Sequence, residues 1–338
     1  MDLLVVVVNY RTAGLAVDCL ASLAPEVGPA GARVVVTDNA SGDDSVAVLR
    51  EAVSRRGWGG WASVLPLGRN GGFAYGNNEA IRPALASAGP PRYVLLLNPD
   101  TVARPGALKA LVDFMDGRPD VGIAGSRLED PDGTPQLSAF RFPGVLSELE
   151  GGLRVGPVTK LLSRWAMAPP VSGVECQTSC VAGASMIVRR EVFDAVGLLD
   201  EGYFMYFEEI DFCRRALRAG WPCWYVPRSR VVHLVGQSSG VTDLRTPPKR
   251  LPAYWFDARR RYFLRHRGRL GKFLADLAWA SGFAAHRVRR YVTGGPVYAD
   301  PPMVLWDFVR YNFLPFPCRG GDARRGERAS AEAALAPE

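Results

Sequence analysis

The sequence predicts an α/β fold, in which helices cover a mostly parallel central sheet and a helical extension follows. Three observations predict it. Short apolar runs alternate with helical patterns four times within the first 125 residues. Each run ends in a polar loop, which gathers the loops on one edge of the sheet, where such folds hold ligands. Beyond residue 250 the alternation gives way to two long stretches of helical spacing.

The elements follow in order. Valine-rich residues 3–8 read as a buried strand closed by Asn9-Tyr10-Arg11-Thr12, after which Leu15, Cys19, Leu20 and Leu23 recur at helical spacing. A second strand over 34–37 ends at Asp38-Asn39-Ala40-Ser41-Gly42, with a helix over 45–53. A third, 63–67, ends in Asn70-Gly71-Gly72-Phe73-Ala74-Tyr75-Gly76-Asn77-Asn78, and the next helix carries Ile81 and Leu85. The fourth, 93–97, is stopped by Asn98-Pro99-Asp100-Thr101, since proline cannot continue a ladder. Asp100 thus sits just past a central strand. Either it faces a ligand, or Asp100 or Thr101 caps the helix over 105–115. Residues 121–124 form a fifth strand.

The pattern changes after Gly125. Asp130-Pro131-Asp132-Gly133 is a turn between short antiparallel strands. Residues 144–174 read as a long loop region with one helix near 158–165. An extended segment over 178–188 leads into a short helix, 190–196. A helix over 207–219, strands over 223–226 and 230–234, and helices over 252–266 and 271–292 follow. The charged, alanine-rich end, 319–338, reads as disordered.

Composition narrows the classes. The 338 residues are 48% apolar, enough for a sizeable core, and the formal charge of +7 favours an anionic partner. The six cysteines contain one close pair, Cys176 and Cys180, with no second pair to complete a zinc site, so reduced, cytosolic thiols are expected. No signal peptide or membrane span is predicted. The first loop has no G-x-G-x-x-G, and no phosphate-loop motif occurs, which argues against a dinucleotide or P-loop site. Gly71, Gly72 and Gly76 bracket a helix start. They serve either an anion facing free N–H groups or a tight turn.

Together, Asp38-Asn39-Ala40-Ser41, the Asn70–Asn78 segment and Asn98-Pro99-Asp100 resemble the inverting glycosyltransferases of family 2, in their rhamnosyltransferase-like branch. The resemblance runs from about residue 3 to 238. It implies the GT-A nucleotide-sugar fold, with a nucleotide-sugar-binding half over 1–125 and an acceptor-binding and catalytic half over 126–240. A basic helical extension would cover 241–318. By this resemblance Asp38 binds the pyrimidine ring, while Asn9 and Tyr10 wall the base beside Asn39 and Asn70. Gly72, Phe73 and Asn77 lie under the sugar-nucleotide, and Gly183 is the small residue beside the donor sugar. Asp100 matches the last carboxylate of the family's metal-binding D-x-D. Asn98 replaces the first, as is usual in that branch. A divalent cation, Mg²⁺ or Mn²⁺, would neutralise the leaving diphosphate, held by Asp100 and by His233 in an H-x-x-G-x-S setting with Gly236 and Ser238.

The segment from Gly197 to Arg215 resembles the family's acceptor-side motif, with Glu209 where Asp is commoner. By helix geometry Glu208, Asp211 and Arg215 share one face and Glu209 is turned away from it. The resemblance makes Glu209 the general base, its pKa raised by neighbouring carboxylates, and gives Glu208 and Asp211 structural or acceptor-binding roles. Trp221, Trp224 and Tyr225 are either core aromatics or a sugar-stacking platform.

Arginines 259, 260, 261, 265, 267 and 269 with Lys272 are interleaved with Tyr254, Trp255, Phe256, Tyr262 and Phe263. Such a run describes a helix lying on an anionic membrane face, and the family often acts on lipid-linked acceptors there. No nucleic-acid module accompanies it, so nucleic acid is not an expected partner. The predicted activity is single-displacement transfer of a sugar, rhamnose from dTDP-rhamnose first, to a hydroxyl of a glycan or lipid-linked acceptor at the inner face of the cell membrane. UDP-hexose or UDP-galactofuranose transfer, nucleotidyl transfer and a non-enzymatic glycan-binding module are the alternatives.

Overall fold

The computed structural model describes residues 2–234, 248–293 and 300–314. Gly236, Ser238, Cys318 and the 319–338 tail lie outside the described residues. In chain order the first half contains β1 (Leu3–Asn9), α1 (Ala13–Leu23), β2 (Ala32–Asp38), α2 (Ser45–Arg55), β3 (Ala62–Pro66), α3 (Gly72–Leu85), β4 (Tyr93–Leu97), β5 (Thr101–Ala103), α4 (Ala107–Gly117) and β6 (Ile123–Glu129). Then come β7 (Ala139–Phe140), α5 (Val145–Leu153), α6 (Gly156–Leu161), β8 (Cys176–Thr178), β9 (Cys180–Val181), β10 (Ser185–Arg189), α7 (Arg190–Val196), α8 (Glu208–Arg218) and β11 (Cys223–His233). The extension holds α9 (Ala253–Thr293), broken at Gly268 where φ is 69°, and α10 (Val304–Phe313).

The sheet runs β3-β2-β1-β4-β10-β6-β11-β5, with β8 on the side of β11. β1 to β4 are parallel, β10 is antiparallel between β4 and β6, and β6 and β11 are parallel. The strand alternation of period two gives the sheet two buried faces. Leu3, Val5 and Val7 of β1 face α1 and α4, whose Leu20, Leu23, Leu108 and Leu111 complete one core. Leu4 and Val6 face α3, α7 and α8, whose Ile81, Phe193 and Phe212 complete the other.

Four sequence expectations change. The fifth strand starts two residues later than expected, at Ile123, and continues past Gly125 to Glu129, because Glu129 is buried among Arg104, Arg127 and Arg230. Burial alone would raise its pKa, but hydrogen bonds from Arg230 and Arg104 outweigh this and hold it below the usual carboxylate range. The expected strands over 223–226 and 230–234 are one bulged strand. Residues 145–153 are helical, not loop. Gly151 and Gly152 hide the helix in the sequence, yet Gly152 and Gly282 let α5 and α9 touch, since a Cβ on Gly152 would stand 2.7 Å from Trp279 O.

The fourth correction concerns the basic–aromatic run. Its first half does not form an open face. Phe256, Tyr262 and Phe263 are buried, and Arg259, 2% exposed, bridges Glu148 and Asp276. Arg261 and Arg265 pair with Asp200. Apart from Leu264, the exposed apolar side chains come later, at Leu270, Phe273, Leu274 and Leu277, and again at Val288, Tyr291 and Val292. Among the described residues no helix is long and apolar enough to cross a membrane.

Candidate active site

The carboxyl ends of the parallel strands carry the first group of predicted residues. The β1–β2 register sets Asn9 opposite Asp38. Asn9 Nδ2 donates to Asp38 Oδ1 at 2.7 Å, and the Ser41 hydroxyl donates to the same oxygen at 2.6 Å. Asp38 Oδ2 accepts Ser41 N–H at 3.1 Å. The buried carboxylate is therefore locked in one orientation. Tyr10 stands at the rim, with the Arg11 guanidinium 5.3 Å from its ring centre.

Asn39 ties the second loop to the third. Its Nδ2 donates to Asn70 Oδ1 and Gly72 O, and its Oδ1 accepts Gly71 N–H. Gly72 has φ +84°, and a Cβ there would stand 1.8 Å from Phe204 O, so only glycine fits. Phe73 N–H donates to that same Phe204 carbonyl at 2.8 Å. Asn77 is fully buried. Its Nδ2 donates to Phe73 O, while its Oδ1 has no hydrogen-bond partner among the described residues.

Asp100 and His233 meet through the sheet. Thr101 of β5 pairs with His233 of β11, which puts His233 Nε2 3.5 Å from Asp100 Oδ1 and 3.4 Å from Asn98 Nδ2. Asp100 Oδ1 is buried without a hydrogen-bond partner among the described residues. The helix-capping alternative fails. Thr101 lies in a strand, and Glu26, which the sequence reading did not single out, accepts the N–H groups of Gly106 and Leu108 at the start of α4. Among the described residues no three His, Cys, Asp or Glu converge as metal ligands.

The acidic segment divides as its helical spacing predicts. Asp211 is fully buried and points inward, taking hydrogen bonds from Arg215 Nε at 2.8 Å and from His266 at 2.7 Å. Burial would raise its pKa, but these bonds and the Arg215 and Arg265 charges hold it below the usual range. Glu209 sits beside Gly183 and Phe73. A Cβ on Gly183 would stand 3.4 Å from the Phe73 ring and 3.7 Å from Glu209 Cβ. Glu209 Oε2 has no hydrogen-bond partner among the described residues, and its pKa is pushed up to about 7. Burial is the largest cause, the helix N–H groups of Glu209 and Ile210 oppose it, and the adjoining Glu208 carboxyl, which the sequence pointed to, interacts with it. Glu208 is more deeply buried and raised well above the usual range by burial and by Glu209.

The aromatics split. Trp224 packs on Phe114 and under Arg118 on the α4 side, and Trp221 packs against Gly122, so both belong to the core. Tyr225 lines a separate cavity of about 540 Å³ with Leu137, Arg141, Gln177, Thr178 and Leu217. Sequence reasoning gave His266 no role and did not place Tyr254 against this segment, where it packs on Phe204 and Tyr206. Fifty-five residues separate His266 from Asp211, so no local spacing could link them.

Comparisons with known proteins place the chain in a family and a fold. Residues 2–246 match the family described as glycosyltransferase like family 2. N-acetylglucosaminyl-diphospho-decaprenol L-rhamnosyltransferase of Mycobacterium tuberculosis is 33% identical over 202 residues, 56% of this chain and 63% of that protein. Rhamnosyltransferase WbbL of Escherichia coli is 30% identical over 171 residues, 48% of this chain and 60% of that protein. The chain thus spans about three fifths of the length of these relatives. Among solved structures, GalNAc-T7 with UDP, GalNAc and Mn²⁺ superposes with a TM-score of 0.54 at 16% identity, over 91% of this chain and 54% of that one. Residues 1–349 of TarS from S. aureus superpose with a TM-score of 0.51 at 14% identity, over 93% and 81%. These two show the fold alone. With a GT-A-like architecture and a family match over most of its length, the chain belongs to glycosyltransferase family 2.

Proposed function

We propose that the protein transfers a sugar from a pyrimidine nucleoside diphosphate to a hydroxyl of a glycan or lipid-linked acceptor, with inversion at the anomeric carbon. The observation that carries this is Glu209, a carboxylate with a raised pKa and an unpartnered oxygen, beside Phe73 and Gly183 at the mouth of the donor loops. The acceptor oxygen bonds to the anomeric carbon as the bond from that carbon to the diphosphate oxygen breaks. The hydroxyl proton passes to Glu209. We favour Glu209 over Asp211 as the base, since both Asp211 oxygens are engaged by Arg215 and His266 and those bonds hold its pKa below the usual range.

Asp38 Oδ2, which accepts one N–H in the fold, accepts the ring N–H of the pyrimidine as well. Asp100 Oδ1, without a hydrogen-bond partner among the described residues, and His233 Nε2, with Asn98 nearby, would hold a divalent cation. Such a cation supplies positive charge against the leaving group. dTDP-rhamnose is the donor we favour, because the relatives in M. tuberculosis and E. coli and the dTDP-rhamnosyl transferase RfbF of Shigella flexneri are named for rhamnose transfer. The exposed apolar side chains of α9 at Leu270, Phe273, Leu274 and Leu277, in a helix rich in arginine, suit an anionic membrane surface at the inner face of the cell membrane, where a lipid-linked acceptor is reached. The test is a donor panel with purified protein, reading nucleoside diphosphate release with and without Mn²⁺ or Mg²⁺. Release from dTDP-rhamnose above that from UDP- and GDP-sugars supports the reading. No acceptor-dependent release from any donor overturns it.

A further inference from the structure

The extension meets the catalytic segment at a buried point. Asp211 lies two residues beyond Glu209 in the first turn of α8. Besides Arg215 and His266, its carboxylate faces the Tyr203 hydroxyl at 3.4 Å and Arg265 Nε at 3.5 Å. His266, on α9, is buried too. Its Nδ1 lies 3.2 Å from Arg218 Nη1. A guanidinium has only hydrogens to offer, so Nδ1 is the bare nitrogen and accepts from Arg218. The ring proton is therefore on Nε2, aimed at Asp211 Oδ1. His266 thus joins α8 at two points two turns apart. Arg215 continues the chain from Asp211 to the carbonyls of Val196 and Leu198.

These bonds support a costly piece of backbone. Tyr206 and Phe207, which lead into α8, have φ of 72° and 68°. Non-glycine residues in this region are strained and persist only where their surroundings over-determine them. The surroundings here come from the extension. Tyr254 lies against Phe204 and Tyr206, and Phe207 packs against Trp255 and Tyr262. The Glu209 carboxyl meets the N–H groups of Glu209 and Ile210 at the helix start, and its Oε2 has no other partner among the described residues, so its place is inherited from that turn.

We infer that His266 is a positioning residue. Through Asp211 it holds the first turn of α8, and with it the Glu209 carboxylate, at the transfer site. The extension is then part of the catalytic centre as well as an outer surface. This rests on Glu209 being the base of the proposed transfer.

The test compares two variants of the full chain. His266→Phe keeps a ring and loses both hydrogen bonds, while His266→Gln keeps an amide N–H near the Nε2 position. Three quantities are read: the Glu209 carboxyl titration by carbon NMR, kcat and acceptor KM, and the Kd of dTDP or UDP. His266→Phe should lower kcat about 10- to 100-fold, as a misplaced group does, with nucleotide Kd within about twofold. It should move the Glu209 midpoint down by about half a unit or more, as the helix start loosens and water reaches the carboxylate. His266→Gln should restore both. Equal impairment of the two variants, or an unmoved Glu209 titration in His266→Phe, overturns the inference. The titration needs no turnover, so an inactive wild-type protein sinks the transfer reading and still leaves the positioning role decided. If His266→Phe does not fold, Arg218→Met takes its place, because it releases the tautomer. A Glu209 titration shifted downward in Arg218→Met supports the role, and a wild-type titration overturns it.

Discussion

Gly183 and Glu209 face each other at the mouth of the donor loops. A Cβ on the glycine would stand 3.7 Å from the Cβ of the glutamate, with the Phe73 ring as the third wall at 3.4 Å. Residues from three separate stretches of chain thus define the space in front of the proposed base. A methyl group fits there in ordinary contact, and anything larger intrudes. Gly183→Ala should keep transfer within about threefold. Gly183→Leu should lower it about 100-fold with little change in melting temperature, since overpacking falls on the opening of the site and not on the core. Normal kinetics in the leucine variant would remove Gly183 from the site.

Glu209 carries the pH dependence. The base must be ionised, so the transfer rate should rise between pH 5 and 8 with a midpoint set by its pKa of about 7. Glu209→Gln should lose about two to four powers of ten and flatten this rise. Stability should move the opposite way. A carboxyl whose pKa is higher folded than unfolded opposes folding increasingly as pH climbs from the unfolded value toward the folded one, and fully above it. Glu209→Gln should therefore melt about 2 °C or more above wild type at pH 8 and level with it near pH 4. A melting difference that grows toward low pH would contradict the buried carboxylate.

Asp100→Ala and His233→Ala should each weaken Mn²⁺ binding in the presence of nucleoside diphosphate by about tenfold or more, followed by titration calorimetry. Nucleotide binding without metal should persist in both. Undiminished Mn²⁺ affinity in both variants would show that the cation, if used, sits elsewhere.

Arg259 should behave as a structural residue. It is 2% exposed between Glu148 and Asp276, and burial already lifts Glu148 above its usual range. Arg259→Met would leave the Glu148 carboxylate without its cation, while Asp276 keeps Lys272, and should cost about 3–5 kcal/mol in chemical denaturation. A loss below about 1 kcal/mol would mean that water enters and replaces the guanidinium.

The outer stripe of α9 should govern vesicle binding. Replacing Leu270, Phe273 and Leu277 by Ser should abolish co-sedimentation with anionic vesicles and leave nucleotide affinity unchanged. Wild-type binding should fall as salt rises. Equal binding of wild type to neutral vesicles would reject the electrostatic contribution.

Most of the first half was legible in the sequence, because its information is local. The valine run 3–8, the apolar run 93–97 and the Asn/Asp/Gly-rich loops after them report burial and chain reversal within a few residues. The helical spacing of Glu208, Asp211 and Arg215 even foretold that one carboxylate would be tied down while Glu209 turned away. Other features depend on residues far apart in the chain, and only the tertiary structure decided them. The fifth strand was expected to end at residue 124, and the structure carries it on to Glu129, buried among three arginines. Gly151 and Gly152 looked like a loop until Gly282 was seen to need the room. The basic run from 254 to 291 looked like a membrane face, and folding turned its first part onto Asp200, Glu148 and residues 203–211. His266 carried no signal at all. Its partner lies on another element, and a hydrogen bond between residues so far apart leaves no periodicity in the sequence. Local pattern fixes which side chains are buried, but the choice among many possible buried partners is made only when the elements pack.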